Sequence, residues 1–129
     1  MDWGADPGAD VAVCELDPLL DAVEAAVAGL QGADPARLGG SALAERIVRI
    51  EGLLARLSAH QLACVQVVDR RGEAQAAGAR STAAWLRERA RLGPGAAAAR
   101  VVLARRLADR PAIGAALAAG RFSGLRVPW

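Results

Sequence analysis

The chain has 129 residues, 53% of them apolar, with three Trp, one Phe and no Tyr. That is enough for one small domain and short for two, and the core must come from Leu, Val, Ile and Ala, a mixture that favours close-packed helices over sheet. All sixteen basic residues are Arg and the net charge is +2, yet residues 1–40 hold eight acids against one Arg while residues 41–129 hold fifteen Arg against six acids; an acidic segment beside a basic body either attracts polyanions or is neutralised within the chain.

Residues 1–12 are rich in Asp, Gly and Pro and are expected to be disordered or loosely attached. They are acidic where a secretory signal is basic, and no run long and apolar enough to span a membrane follows, so a cytoplasmic location is expected. Residues 13–40 hold a first helix and a linker. Asp17 and Pro18 read as an N-cap followed by proline, and Leu19, Leu20, Val23, Val27 and Leu30 make one apolar stripe of a helix ending near Leu30. Gly32, Pro35, Gly39 and Gly40 mark the linker. Cys14 and Cys64 have no Cys or His at ligand spacing, so both are expected to be reduced, small apolar residues.

Residues 41–123 form the helical domain. Ser41 is expected to cap a long helix, with Glu45 near the capping-box position. Leu43, Ile47, Ile50, Leu54, Leu57, Gln61, Cys64 and Val68 alternate by four and three, a heptad seam that Leu53, Leu62 and Val65 widen. A seam this wide is expected to be the inner face of an intramolecular bundle, a dimeric coiled coil being the alternative. The helix is predicted to run to about Ala77, roughly 50 Å, before Gly78 ends it. Gly52 should cost about 1 kcal/mol against Ala unless something packs closely there.

A hairpin follows. Ser81 is a good N-cap, Trp85, Leu86 and Leu92 supply large apolar groups, and Gly93-Pro94-Gly95 breaks the helix. Pro94 suits the first position of a second helix running through Val101, Leu103 and Leu107. The outline is that of a helix-turn-helix and equally of any αα-hairpin. Trp85 is expected to fill the junction between hairpin and long helix. Asp109-Arg110-Pro111 reads as a further cap opening a short helix that Gly120 closes, and Ser123 could cap one more.

The segments G-A-R-S-T-A-A-W-L-R (Gly78 to Arg87), R-L-G-P-G-A-A-A-A-R (Arg91 to Arg100), L-A-R-R-L (Leu103 to Leu107) and A-A-L-A-A-G-R-F-S (Ala115 to Ser123) resemble the bacterial domain of unknown function family 222. The resemblance covers roughly Ser41 to Ser123. It implies a helical domain of the kind that typically lies N-terminal to an HNH endonuclease domain. The family pattern continues with another helix where this chain has Gly124 to Trp129, so residues 124–129 are a divergent tail and the chain is expected to be a truncated or frame-shifted piece of a longer protein.

The chemistry-bearing residues are few. An HNH nuclease needs clustered His with Asn or Asp around a metal, whereas this chain has one His and no Asn; His60 is expected to face solvent, and no enzyme activity, metal or cofactor is expected. Gly93-Pro94-Gly95 lacks the lysine and preceding strand of a phosphate loop. Arg80, Arg87, Arg89, Arg91, Arg100, Arg105 and Arg106 face a single acid, Glu88, which is enough local charge to attract phosphates. Arg100, Arg105 and Arg106 point in separate directions, however, and only Gln75 is nearby to read bases. Solvated bundle surface is the plain alternative. The expectation is an all-α, irregular bundle of about five helices whose core includes Leu43, Ile47, Ile50, Leu54, Leu57, Trp85, Leu86, Val101, Leu103 and Leu107. Its role would be non-catalytic, with weak sequence-independent nucleic-acid binding, or alternatively protein interaction or self-association through the long-helix seam. The partners that this implies are nucleic acid and a second copy of the chain, with no membrane.

Overall fold

The computed structural model describes residues 7–120, with side-chain surroundings from residue 17 onward. The expectations for residues 1–6, the Cys14 side chain, the Ser123 cap and the 124–129 tail lie outside the described residues. Among the described residues the fold is all-α, without strands. The elements are α1 (Pro7–Gln31), a 3₁₀ turn (Pro35–Arg37), α2 (Gly40–Arg71), α3 (Glu73–Ala76), α4 (Thr82–Ala90), α5 (Pro94–Ala108) and α6 (Pro111–Ala118). The chain divides into two compact units, Met1–Leu43 and Ala44–Trp129.

In the first unit α1 begins at Pro7, ten residues before the expected start, and Pro18 lies inside it. An interior proline forgoes one helical hydrogen bond and costs about 3 kcal/mol. The run Ala9 to Glu15 contains no breaker, so the helix propagates through that defect; residues 7–12 are therefore helical rather than loosely attached. The stripe Leu19, Val23, Val27 and Leu30 forms as its spacing predicts, but all four remain exposed. In the linker, Asp34 caps the 3₁₀ turn by accepting from the Ala36 amide at 3.0 Å.

Helix α2 begins at Gly40, one residue before Ser41, with the Leu43 amide donating to the Gly39 carbonyl at 2.9 Å. Ser41 thus sits within the first turn rather than capping it. The 32-residue helix ends at Gly72, six residues short of Gly78, because Gly72 adopts φ +67°, a left-handed conformation that only glycine takes without a Cβ clash. The single turn of α3 comes next, and Gly78 at φ +88° ends it. This break accounts for the six helices where about five were expected.

The core is built on one edge of the widened α2 seam: Leu62 and Val65, expected to widen it, are buried, whereas none of its central residues is. The buried residues are Ala55, Ser58, Leu62 and Val65, spaced by three, four and three. Each follows by one position a member of the expected seam, Leu54, Leu57, Gln61 and Cys64, so the buried stripe is rotated about 100° around the helix. Ile47, Ile50, Leu54 and Leu57 are exposed, Ile47 by 64%, Leu43 is half-buried and Cys64 is exposed. The physical reason lies in the partners. Buried residues of α4, α5 and α6, Leu86, Val101, Ala104, Leu107 and Leu117, join Ala55, Leu62 and Val65 in one cluster. N-terminal to Ala55, α2 buries nothing.

The hairpin forms as its caps predict. The Ser81 hydroxyl accepts from the Ala84 amide at 3.0 Å, and Pro94 opens α5. Helix α5 buries Ala97, Arg100, Val101, Ala104 and Leu107, the spacing of one helical face. Trp85 packs against the core only partly buried, as does Leu103, and the fully buried neighbour is Leu86. Trp85 thus packs at the margin of the core, with the compact Leu86 buried beside it. At α6, Asp109 ends α5 instead of capping the next helix, and Arg110 precedes Pro111 without a side-chain cap. Gly120, at φ +71°, brings the chain beside α2: a Cβ there would lie 3.0 Å from the Gly52 carbonyl. A Cβ on Gly52 would meet the Gly120 carbonyl at 3.7 Å, an ordinary contact.

Candidate functional site

Asp69 extends the buried stripe of α2 by one further step and ties three helices together. The Thr82 hydroxyl of α4 donates to its Oδ1 at 2.8 Å. From α5, Arg105 donates through Nε to Oδ2 and through Nη2 to Oδ1, both at 2.8 Å. This fork is the geometry in which guanidinium and carboxylate bind most specifically. The hydrogen bonds from Arg105 and then Thr82 hold the Asp69 carboxyl down at about 2, below its ordinary 3.8. One turn earlier, Gln66 Nε2 donates to the Ala104 carbonyl at 2.8 Å, a second tie between α2 and α5.

The seven arginines named as candidates for phosphate attraction are placed in several different ways. Arg105 is committed to Asp69. Arg100 is buried, 5% exposed, so its charge is withdrawn from the surface. Arg89 holds its guanidinium 5.7 Å from the centroid of the Trp85 ring, within cation–π range. Arg106 is exposed on α5. The remaining three, Arg80, Arg87 and Arg91, come together around one cavity of about 510 Å3 on α4, lined also by Ala84, Glu88 and Leu92.

A second cavity of about 560 Å3 lies between α2 and α6, walled by Leu62, Leu107, Leu117 and small residues, with Arg56, His60 and Gln66 at its polar edge. His60 is exposed, as its mid-helix position predicts. Among the described residues no carboxylate lines this cavity beside the imidazole. Among the described residues no three His, Cys, Asp or Glu side chains are grouped to hold a metal, and no helix is long and apolar enough to cross a membrane.

Comparison with known families places this arrangement. The family described as Domain of unknown function (DUF222) matches residues 44–127, most of the chain. The chain belongs to that family. The matched segment starts where the second compact unit starts, at Ala44, so the DUF222 region holds the buried core, the Asp69 junction and the arginine cavity, while α1 precedes it. The match also continues past Ser123, beyond the expected end of the resemblance. No curated protein and no solved structure matches the chain.

Sequence reasoning passed over Asp69, Thr82 and Gln66. An acid one heptad step beyond Leu62, opposite an Arg-rich helix, is the signal that finds Asp69 once the stripe's phase is known.

Proposed function

We propose that this chain is a non-catalytic helical module, of the kind that accompanies HNH endonuclease domains, which associates by pairing α2 with α2 of a second copy. The observation that carries the proposal is the exposed stripe Ile47, Ile50, Leu53, Leu54 and Leu57. Ile47, Ile50, Leu54 and Leu57 keep the three-four spacing of a helix–helix seam while the core uses the neighbouring face. Ile47 is 64% exposed, Leu53 52% and Leu57 47%. Across two copies the stripe amounts to on the order of 1,000 Å2, the level at which specific interfaces become stable.

A second copy suits the stripe because an α2 seam is complementary to itself: a two-fold pairing sets the same aliphatic residues against one another, as isologous interfaces require. Light scattering at tens of micromolar protein is expected to give the mass of a dimer, a concentration at which an interface of this size is populated. The double variant Ile50→Glu, Leu54→Glu is expected to give a monomer with unchanged helical content, since both side chains lie outside the core. A wild-type protein that is monomeric throughout this range would overturn the proposal.

A further inference from the structure

The cavity on α4 has a composition that self-association does not use. Arg80, Arg87 and Arg91 line it over an apolar floor of Ala84 and Leu92, with Glu88 as its only acid. All three arginines are exposed, and among the described residues none forms an ion pair or side-chain hydrogen bond, in contrast to Arg105. Guanidinium groups without carboxylate partners, held around one concavity, present forks matched to phosphate oxygens.

The backbone at Arg91 is the second observation. Arg91 closes α4 at φ +54°, and it is the one non-glycine residue with positive φ among the described residues. The chain uses glycine at its three other left-handed positions, Gly72, Gly78 and Gly120. Glycine would terminate α4 without the steric cost that a Cβ brings to this conformation. At Arg91 the chain instead keeps an arginine that lines the cavity, a local strain of the kind found where a residue serves a ligand.

The spacing decides what class of anion fits. Arg87 lies on α4, whose nine residues span roughly 13 Å, and Arg80 and Arg91 flank its two ends, a spread too long for one phosphate and comparable to several consecutive phosphates along a strand, which lie about 3.4 Å apart along a duplex axis. The lining contains no amide side chain, the type that reads adenine. We infer that this groove binds the phosphodiester backbone of nucleic acid without regard to sequence, through Arg80, Arg87 and Arg91. Arg100 and Arg105 take no part, the one buried and the other held by Asp69.

The inference is tested by fluorescence anisotropy of the full chain on a labelled duplex of arbitrary sequence, with salt varied. Three phosphate contacts give a slope of log affinity against log salt near −2.7 per protomer, so affinity is expected to fall about 40-fold from 50 to 200 mM salt. Arg91→Gly should reduce that slope by about one contact while the melting temperature stays level or rises, because glycine relieves the φ +54° position. A purely structural role for Arg91 would not produce that opposition. Arg80→Ala with Arg87→Ala should remove two further contacts, and Arg106→Ala, away from the cavity, should leave most of the slope intact. No binding at 50 mM salt, displacement by equimolar inorganic phosphate, or equal losses from Arg106→Ala and Arg91→Gly would overturn it. The Ile50→Glu, Leu54→Glu variant, measured alongside, separates this outcome from failure of the pairing, since the per-protomer slope is expected to persist in a monomer.

Discussion

Arg105 and Asp69, 36 residues apart in sequence, form a two-pronged ion pair with both contacts at 2.8 Å. The pair fixes α5 against the end of α2, and Thr82 fixes α4 to the same carboxylate. Its consequence is a pH window. A carboxyl held at about 2 in the folded chain and near 3.8 in the unfolded one adds stability that is complete above the unfolded value and is lost as pH falls through the folded value. Thermal melts are therefore expected to lose part of their stability between about pH 4 and pH 2. Asp69→Asn keeps an acceptor for Thr82 and removes the charge; it should melt lower at neutral pH and show a flatter acid limb. An identical acid limb in the variant would show that the pair contributes nothing.

The rotated stripe on α2 makes a paired prediction. Leu62 is 1% exposed and Leu54 is 36% exposed. Leu62→Ala should cost about 2–5 kcal/mol by leaving a cavity in the shared core. Leu54→Ala should stay within about 0.5 kcal/mol, measured by denaturation of dilute protein. The reverse order would restore the heptad seam as the core.

These two leucines also show how far the sequence could be read. The three-four period of α2 was legible because aliphatic residues recur along it. Its phase was only partly legible, because two adjacent faces are both apolar: Leu62 and Val65 stood out as widening the seam, but Leu54 and Leu57 outweigh Ala55 and Ser58 in volume, and it is Ala55 and Ser58 that are buried. The hairpin was legible in detail because Ser81 and Pro94 act through local backbone chemistry. The Asp69 fork and the burial of Arg100 were not, since both arise from contacts between helices distant in sequence. The grouping of Arg80, Arg87 and Arg91 depends on α4 being short enough to end at Arg91, a boundary the expected helix overran.

Gly120 offers a test of how closely α6 approaches α2. Its φ of +71°, and the 3.0 Å that would separate an alanine Cβ at this position from the Gly52 carbonyl, predict that Gly120→Ala destabilises by about 1–3 kcal/mol. Chemical denaturation would measure this, and a loss below about 0.5 kcal/mol would mean the α6 end is free to move away.

Trp85 should matter less than its size suggests. It is only partly buried and carries Arg89 over its ring, so Trp85→Ala is expected to cost about 1–3 kcal/mol, short of full aromatic truncation in a core. Arg89→Ala should shift the indole fluorescence. A loss above about 4 kcal/mol in Trp85→Ala would place the ring at the centre of the core.

The proposal that the module is non-catalytic is tested with plasmid DNA and magnesium, manganese or zinc. The DNA is expected to remain intact. Cleavage that survives repurification and disappears in His60→Ala would give that exposed histidine a chemical role.

The central claim, that the α2 stripe Ile47 to Leu57 is covered by a second copy, is tested most directly by the dependence of melting temperature on protein concentration. Association that favours the folded state raises the melting temperature as concentration rises. The wild type is expected to melt progressively higher across a hundredfold increase in concentration, and Ile50→Glu with Leu54→Glu to melt at one temperature throughout, equal to that of the dilute wild type. A wild-type melting temperature independent of concentration would contradict the claim.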